Sequence, residues 1–430
     1  MSERRNYLVL MGAIAAALVG AVLLAVPGSP IYKKPVLGLD LRGGIEVVLR
    51  AVPEKGQHVT AAGMQTAQQI MESRVNKLGV SEPEVRTQGG NEIVIQLAGV
   101  HDPAKAAAII GKTGQLQFYD FEKDLAPPTI DANGQPAPFP SLYGLLSSVR
   151  QAARNGSPEA YYLFRVKTVT THVQSKAKGK GRTATKPKTT TTHTLLQGPA
   201  PTLRELLRPY GGKRPAHTQV LAVPAHRIAI SCPIQNGCLG AGANGTSKTG
   251  TYWYLFKYFP GSPNGPPELT GKDLVESGIT ADLDPNTGQP EVLLAFTHHG
   301  SREFQRITKA EYQRGQAAAG LAGQAGNHNP SVVQQYAQHN AIVLDGVLES
   351  TPYIDYTDPS LADGIAGGAR ITMGSGGLSA AKDLALVLQS GSLPYTFQQI
   401  ERTDVSATLG KTSLHQAILA AAAGLAIVAL

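Results

Sequence analysis

Residues 84–103 read EVRTQGGNEIVIQLAGVHDP, and the order of elements around this stretch decides the fold. Residues 84–87 and 93–97 are strand-like runs, and Gly89-Gly90-Asn91 supplies turn residues between them. Asp102-Pro103 then provides an N-cap and a first-turn proline for a helix to about residue 110. Upstream, Met64, Ala67, Ile70, Met71, Val75 and Leu78 recur at three-and-four spacing across 60–78, an amphipathic helix that Gly79 can end. Residues 45–49 before it and 115–121 after the second helix read as strands. The order is strand, helix, strand, strand, helix, strand, the split βαβ, ferredoxin-like pattern of an α+β fold.

A similar order returns near the other end. Residues 291–297 read as a strand, and Ser301 can cap a helix that buries Phe304 and Ile307. Strands at 341–344 and 347–348 flank Asp345-Gly346, a strong hairpin signal, and 370–373 continues the sheet. Ser379 caps a helix through Leu384, Val387 and Leu388, Gly391 ends it, and 395–400 returns as a strand. Two such halves predict one base built from both ends, with the middle as a separate lobe. In that middle, residues 168–194 place Lys176, Lys178, Lys180, Arg182, Lys186 and Lys188 among threonines with almost no large apolar side chain, so a disordered loop is expected. Contact with an anionic lipid or polymer is the alternative, whereas nucleic acid is disfavoured because no aromatics interleave the lysines. Residues 316–329 read as a second flexible stretch.

Residues 7–26 carry no charge, and about 20 such residues suffice to cross a bilayer as a helix. Arg4 and Arg5 place the N-terminus inside, and a poor cleavage site at Ala25-Val26-Pro27-Gly28 favours a retained anchor over a signal peptide. The apolar run 417–430 is read as the start of a second span. The net charge of +8 on 430 residues selects no partner. Cys232 and Cys238 are the only cysteines; a bridge in an extracytoplasmic domain and free thiols both stay open, and the spacing disfavours zinc.

Other chemistry fails on spacing. Gly111-Lys112-Thr113 resembles the tail of a phosphate-binding loop, but Ala106 stands where glycine is needed and the string ends a helix instead of opening one. Gly410-Lys411-Thr412 fails at Val405 in the same way. Gly374-Ser375-Gly376-Gly377 reads as a tight strand-to-helix connection. His298 and His299, as neighbours in a strand, would face opposite sides, so they are expected to be solvated loop residues. No nucleophile-base pair or set of metal ligands is legible, so no enzyme activity and no cofactor are expected.

Gly38-Leu39-Asp40-Leu41-Arg42-Gly43-Gly44 lies just beyond the first apolar run, where its glycines suit a sharply turning backbone and Asp40 and Arg42 share a face if extended. That string resembles the signature of SecD, the protein-export membrane subunit of the proton-driven RND superfamily. Further strings are similar to the same family: residues 91–100, Gly111-Lys112-Thr113-Gly114-Gln115, residues 269–274, 341–347 with its Asp345-Gly346 hairpin, Gly391-Ser392-Leu393-Pro394, and Leu409-Gly410-Lys411. Ala98 and Ser406-Ala407 depart from the usual residues. The resemblance implies a proton-motive-force-driven subunit assisting late translocation and release of secreted proteins, with SecF, the SecYEG channel, SecA and the unfolded preprotein as partners. It implies a cell-membrane location, with the main domain outside and structural or coupling roles for the heptad. The domains expected are 1–28, tip and first membrane helix; 29–124, first half of the base; 125–267, inserted head lobe; 268–410, second half of the base; and 411–430, start of the second membrane helix. An RND-type efflux subunit and a membrane-anchored extracytoplasmic binding protein are the competing readings.

Overall fold

The computed structural model describes residues 43–53, 57–80, 83–99, 102–175, 184–241, 250–262, 265–373 and 377–405, with residues 11–13 and short pieces between 412 and 424. Both expected membrane spans lie largely outside these residues, as do Gly38 to Arg42, Lys176 to Arg182, Gly374 to Gly376, and Gly410 and Lys411. Among the described residues no helix is long and apolar enough to cross a membrane.

The elements run β1 (Gly44–Val52), α1 (Ala61–Lys77), β2 (Glu84–Gln88), β3 (Glu92–Ala98), α2 (Pro103–Gly111), β4 (Leu116–Asp120) and a helical turn α3 (Phe121–Asp124). Next come α4 (Leu142–Ser148), α5 (Arg150–Arg154), β5 (Ala160–Ser175), β6 (Ala184–Ala200), α6 (Leu203–Leu207), β7 (Thr218–Val223), β8 (Arg227–Pro233) and β9 (Thr251–Lys257). The last part contains β10 (Leu269–Thr270), β11 (Thr280–Leu283), β12 (Pro290–Leu294), α7 (His298–Leu321), α8 (Pro330–Tyr336), β13 (Gln338–Leu344), β14 (Val347–Ser350), β15 (Tyr353–Ile354), β16 (Ala369–Thr372), α9 (Gly377–Gln389) and β17 (Thr396–Val405).

The first two helices form as their signals predict. The Thr60 side chain accepts from the Gly63 N–H, α1 buries Met64, Ala67, Met71 and Val75, and Gly79 follows in the left-handed region at φ +75°. Asp102 caps α2 by accepting from the Lys105 N–H.

Sheet order departs from the expectation. The first sheet runs β17-β1-β3-β2, so the place beside β1 is filled by β17 from the far end of the chain, not by β4. Strand β4 instead lies between β10 and β13 in a sheet ordered β10-β4-β13-β14-β8-β9. Its sequence explains the move, since β4 and β13 are apolar on both faces and need cover on both. Phe118, Ile342 and Leu344 pack with α7, α9 and β12, while Tyr119, Ala341 and Val343 pack with β8 and β9. Residues 370–373 do not continue this sheet either; β16 pairs with β12 in a separate β11-β12-β16 sheet.

The middle segment is not set apart, because β8 and β9 belong to the same sheet as β4 and β13. The threonine and lysine tract, expected to be disordered, is a two-stranded ribbon over its described part. It is paired from Tyr161↔Ala200 out to Ser175↔Ala184. Its base is anchored by buried Leu163 and Phe164, and threonine favours extended backbone, so the ribbon grows outward from an ordered root.

Three local expectations are corrected. Thr297, not Ser301, caps α7 by accepting from the Gly300 N–H, while the Ser301 hydroxyl donates to the Ala366 carbonyl. The helix then continues to Leu321 through residues read as flexible, because Gly315 and Ala319 are small enough to be buried there. Ser379 lies inside α9, which already begins at Gly377. His298 and His299 therefore occupy the first turn of a helix, where exposed His299 Nδ1 lies 3.1 Å from Asp273 Oδ1.

By compactness, residues 1–46, 96–101 and 403–430 form one unit and the remainder a second, larger one. In the smaller unit, the Gly43 carbonyl accepts from the Gly99 N–H at 2.8 Å, with Gly43 left-handed at φ +70°. The site described next lies wholly within the larger unit.

Candidate functional site

The Arg74 side chain is completely buried on α1. The apolar stripe of that helix gives no hint of it, and sequence reasoning passed over it. Its guanidinium donates to the carbonyls of Ile110 at 3.0 Å, Thr113 at 3.4 Å and Gly391 at 2.9 Å, and also to that of Lys112. Burial pulls its pKa down to about 10, opposed by the nearby Asp345 charge, so the group remains a cation at neutral pH. The string Gly111-Lys112-Thr113 thus turns carbonyls inward toward a cation. A phosphate cradle needs the opposite polarity, inward N–H groups.

Gly114 is required twice over. Its φ is +71°, and a Cβ there would lie 2.9 Å from Arg74 Nη2 and 3.0 Å from Val387 Cγ1. The next contact comes from the Asp345-Gly346 turn, whose residues have φ of +50° and +76°, the pairing expected of a tight hairpin. The Asp345 carboxylate accepts from the Gly114 N–H at 3.1 Å and the Gln115 N–H at 2.9 Å, while its own N–H donates to the Gln115 carbonyl at 3.1 Å. The Gly346 carbonyl accepts from the Ser231 N–H at 2.9 Å, which joins β8 to the same turn.

The string 391–395 completes the knot. The Leu393 N–H donates to the Thr113 carbonyl at 2.7 Å, and the Tyr395 hydroxyl accepts from the Thr60 N–H at 2.9 Å. A Cβ on Gly63 would fall 2.1 Å from that hydroxyl, so glycine leaves the room that Tyr395 occupies. Both ends of α1 are therefore pinned to residues 391–395.

Of the residues singled out from sequence, Asp345 and Gly346 lie in this knot. Cys232, next to Ser231 on β8, forms a disulfide with Cys238 beyond the end of that strand. No group of three or more His, Cys, Asp or Glu that could hold a metal occurs among the described residues.

Comparison with known proteins explains why these segments meet. The family model described as "Protein translocase subunit SecDF, P1 domain, N-terminal" matches residues 64–123, and "SecDF, P1 head subdomain" matches 262–395. Arg74 and Gly114 lie in the first match, and Asp345, Gly391 and Tyr395 in the second. Over 416 residues the chain is 30% identical to protein translocase subunit SecD of Streptomyces coelicolor, covering 93% of this chain and 66% of that protein. The chain belongs to the SecD family. It is also 26% identical to SecD of Synechocystis, covering 99% of this chain and 65% of that one, so it spans somewhat under two thirds of that relative. Against SecDF of Thermus thermophilus the identity is 23%, over 95% of this chain and 37% of that protein. A crystal structure of SecDF in a super-membrane-facing form aligns with 98% of this chain and 38% of its own, at TM-score 0.43 and 22% identity. The Synechocystis and Thermus relatives both carry the name protein translocase subunit.

Proposed function

We propose that this chain is the extracytoplasmic part, with flanking membrane anchors, of a subunit that assists late translocation and release of secreted proteins under the proton motive force. Its partners in this reading are SecF, the SecYEG channel with SecA, and the emerging unfolded preprotein. Residues 7–26 and 417–430 are its membrane anchors, and the 38–44 heptad couples the first of them to the domain. The β17-β1-β3-β2 sheet with α1 and α2 is a ferredoxin-like base completed from both ends of the chain.

One observation carries the reading. Segments from two separate family matches are bound around one buried guanidinium, so the residues that resemble SecD make up a single rigid device. Rigidity is what a domain needs if motion at its anchors is to be passed to a bound chain without being absorbed locally. The Cys232–Cys238 disulfide supports an oxidising, extracytoplasmic setting.

The test is to delete the gene in its native host and follow a pulse-labelled secreted protein. The unprocessed precursor should persist longer than in the parent strain, and a plasmid copy should restore the chase. An unaltered chase in the deletion strain would refute the proposal.

A further inference from the structure

Five carboxyls gather at the end of β4: Asp120, Glu122, Asp124, Glu268 and Glu311. Two, Asp120 and Glu268, are matched by cations, and Glu122 faces a histidine. Arg314 Nη2 binds both oxygens of Asp120 at 2.6 Å, His339 Nδ1 lies 2.7 Å from Glu122, and Lys123 Nζ lies 3.0 Å from Glu268. Lys257 Nζ, the remaining cation at this edge, is directed to the Lys123 carbonyl and not to an acid.

Asp124 and Glu311 have no cation bound to them among the described residues, and the Asp124 Oδ2 accepts the Asp120 N–H at 3.1 Å. Glu311 has no exposed surface, and neither of its carboxyl oxygens has a hydrogen-bond partner. Asp120 from β4 and Glu122 from α3 oppose its ionisation, and only Arg314 and the amide of Asn340 on β13 favour it. The Asn340 side chain is itself buried with both polar atoms unpartnered. Asp124 is 1% exposed and has the Glu268 carboxyl as its side-chain neighbour, whose Oε2 is buried without a hydrogen-bond partner. A hydrogen bond between two carboxyls needs a proton on one of them.

We propose that this cluster is a proton-binding site: Glu311 and the Asp124–Glu268 pair each hold a proton in the closed fold, and losing them loosens α7 from the 120–124 segment. Burial and the neighbouring Glu268 raise Asp124 to about 8, and burial with the neighbouring acids raises Glu311 well above the usual carboxylate range. The folded state therefore binds more protons than the unfolded chain. Stability from Asp124 is fully present below the ordinary carboxylate range and is lost as pH rises through about 8, and that from Glu311 is likewise lost as pH rises. The proposal does not depend on the export reading, because it concerns only which groups carry protons.

The test uses the full-length protein in detergent. Infrared difference spectra between about pH 5 and pH 9 should show a carboxylic-acid carbonyl band that persists at neutrality and shrinks in Glu311→Gln and in Asp124→Asn. Amide exchange of residues 118–124 and 308–316, corrected for intrinsic pH dependence, should rise about tenfold from pH 6 to pH 9 in the wild type. In the double variant it should rise less than about twofold. A band absent at neutral pH, a band untouched by both substitutions, or equal pH dependence in wild type and double variant each overturns the proposal. Should Glu311→Gln fail to fold, the wild-type band and Asp124→Asn decide it by the same criteria.

Discussion

Replacing Arg74 by methionine removes the guanidinium while keeping an unbranched apolar stem in the same space. Three carbonyls, those of Ile110, Lys112 and Gly391, lose the guanidinium as donor; the Thr113 carbonyl keeps the Leu393 N–H. A buried polar group left unsatisfied costs ~1–3 kcal/mol, which places the loss near ~6 kcal/mol. Against this stands the relief of a buried charge. Burial pulls the Arg74 pKa down to about 10, which corresponds to ~3 kcal/mol of penalty on the cationic form. The net expectation is a loss of about 3 kcal/mol, a large share of the ~5–15 kcal/mol that holds a domain folded. Arg74→Lys should fall in between, since an ammonium keeps the charge but cannot fork to segments on both sides. Trp253, the only tryptophan, sits on β9 and reports unfolding of the polypeptide from residue 43 to 405 in urea. A change below about 1 kcal/mol for Arg74→Met would show that the carbonyls find other donors and that the knot is not what binds these segments.

Further outcomes follow from the same geometry. Gly114→Ala should cost more than about 2 kcal/mol, because left-handed strain adds to the clash with Arg74 and Val387; Gly134→Ala, at φ +78° in open space, should cost only the strain of ~1 kcal/mol, and equal urea midpoints for the two would contradict this. Asp345→Ala removes the acceptor for two backbone N–H groups and should lower stability by about 2 kcal/mol, with Asp345→Asn milder since asparagine tolerates the turn; the ranking is read by denaturation. Cys232→Ser with Cys238→Ser opens a short loop and should cost ~2 kcal/mol, and intact-mass alkylation of the parent protein should find no free thiol without reductant. Tyr395→Phe should cost about 1 kcal/mol and raise amide exchange at Thr60, whose N–H loses its acceptor.

What was legible in the sequence was local. The stripe on α1 and its stop at Gly79, the cap at Asp102, the Asp345-Gly346 turn and the stop at Gly391 are each decided within a few residues by φ preference, capping oxygens or periodicity. The misread caps have equally local reasons. Ser301 and Thr297 are both capping types, and the helix took the earlier one because Thr297 reaches the Gly300 N–H. The 168–194 tract was misread because its composition argues against a core, yet a hairpin rooted on buried Leu163 and Phe164 needs no core of its own at its tip.

By itself the sequence determined the helices, strands and turns of residues 44–120 and the Asp345-Gly346 turn, and its motifs resemble SecD closely enough to indicate the family. Only the tertiary structure decided that β17 and not β4 lies beside β1, that Arg74 is the cation joining the motifs, and that Glu311 is buried without a hydrogen-bond partner beside the acids at the end of β4. The reason is physical. Propensity acts over one or two turns of chain, whereas strand partners and buried charges are chosen by which distant surfaces can cover an apolar face or supply a missing hydrogen bond.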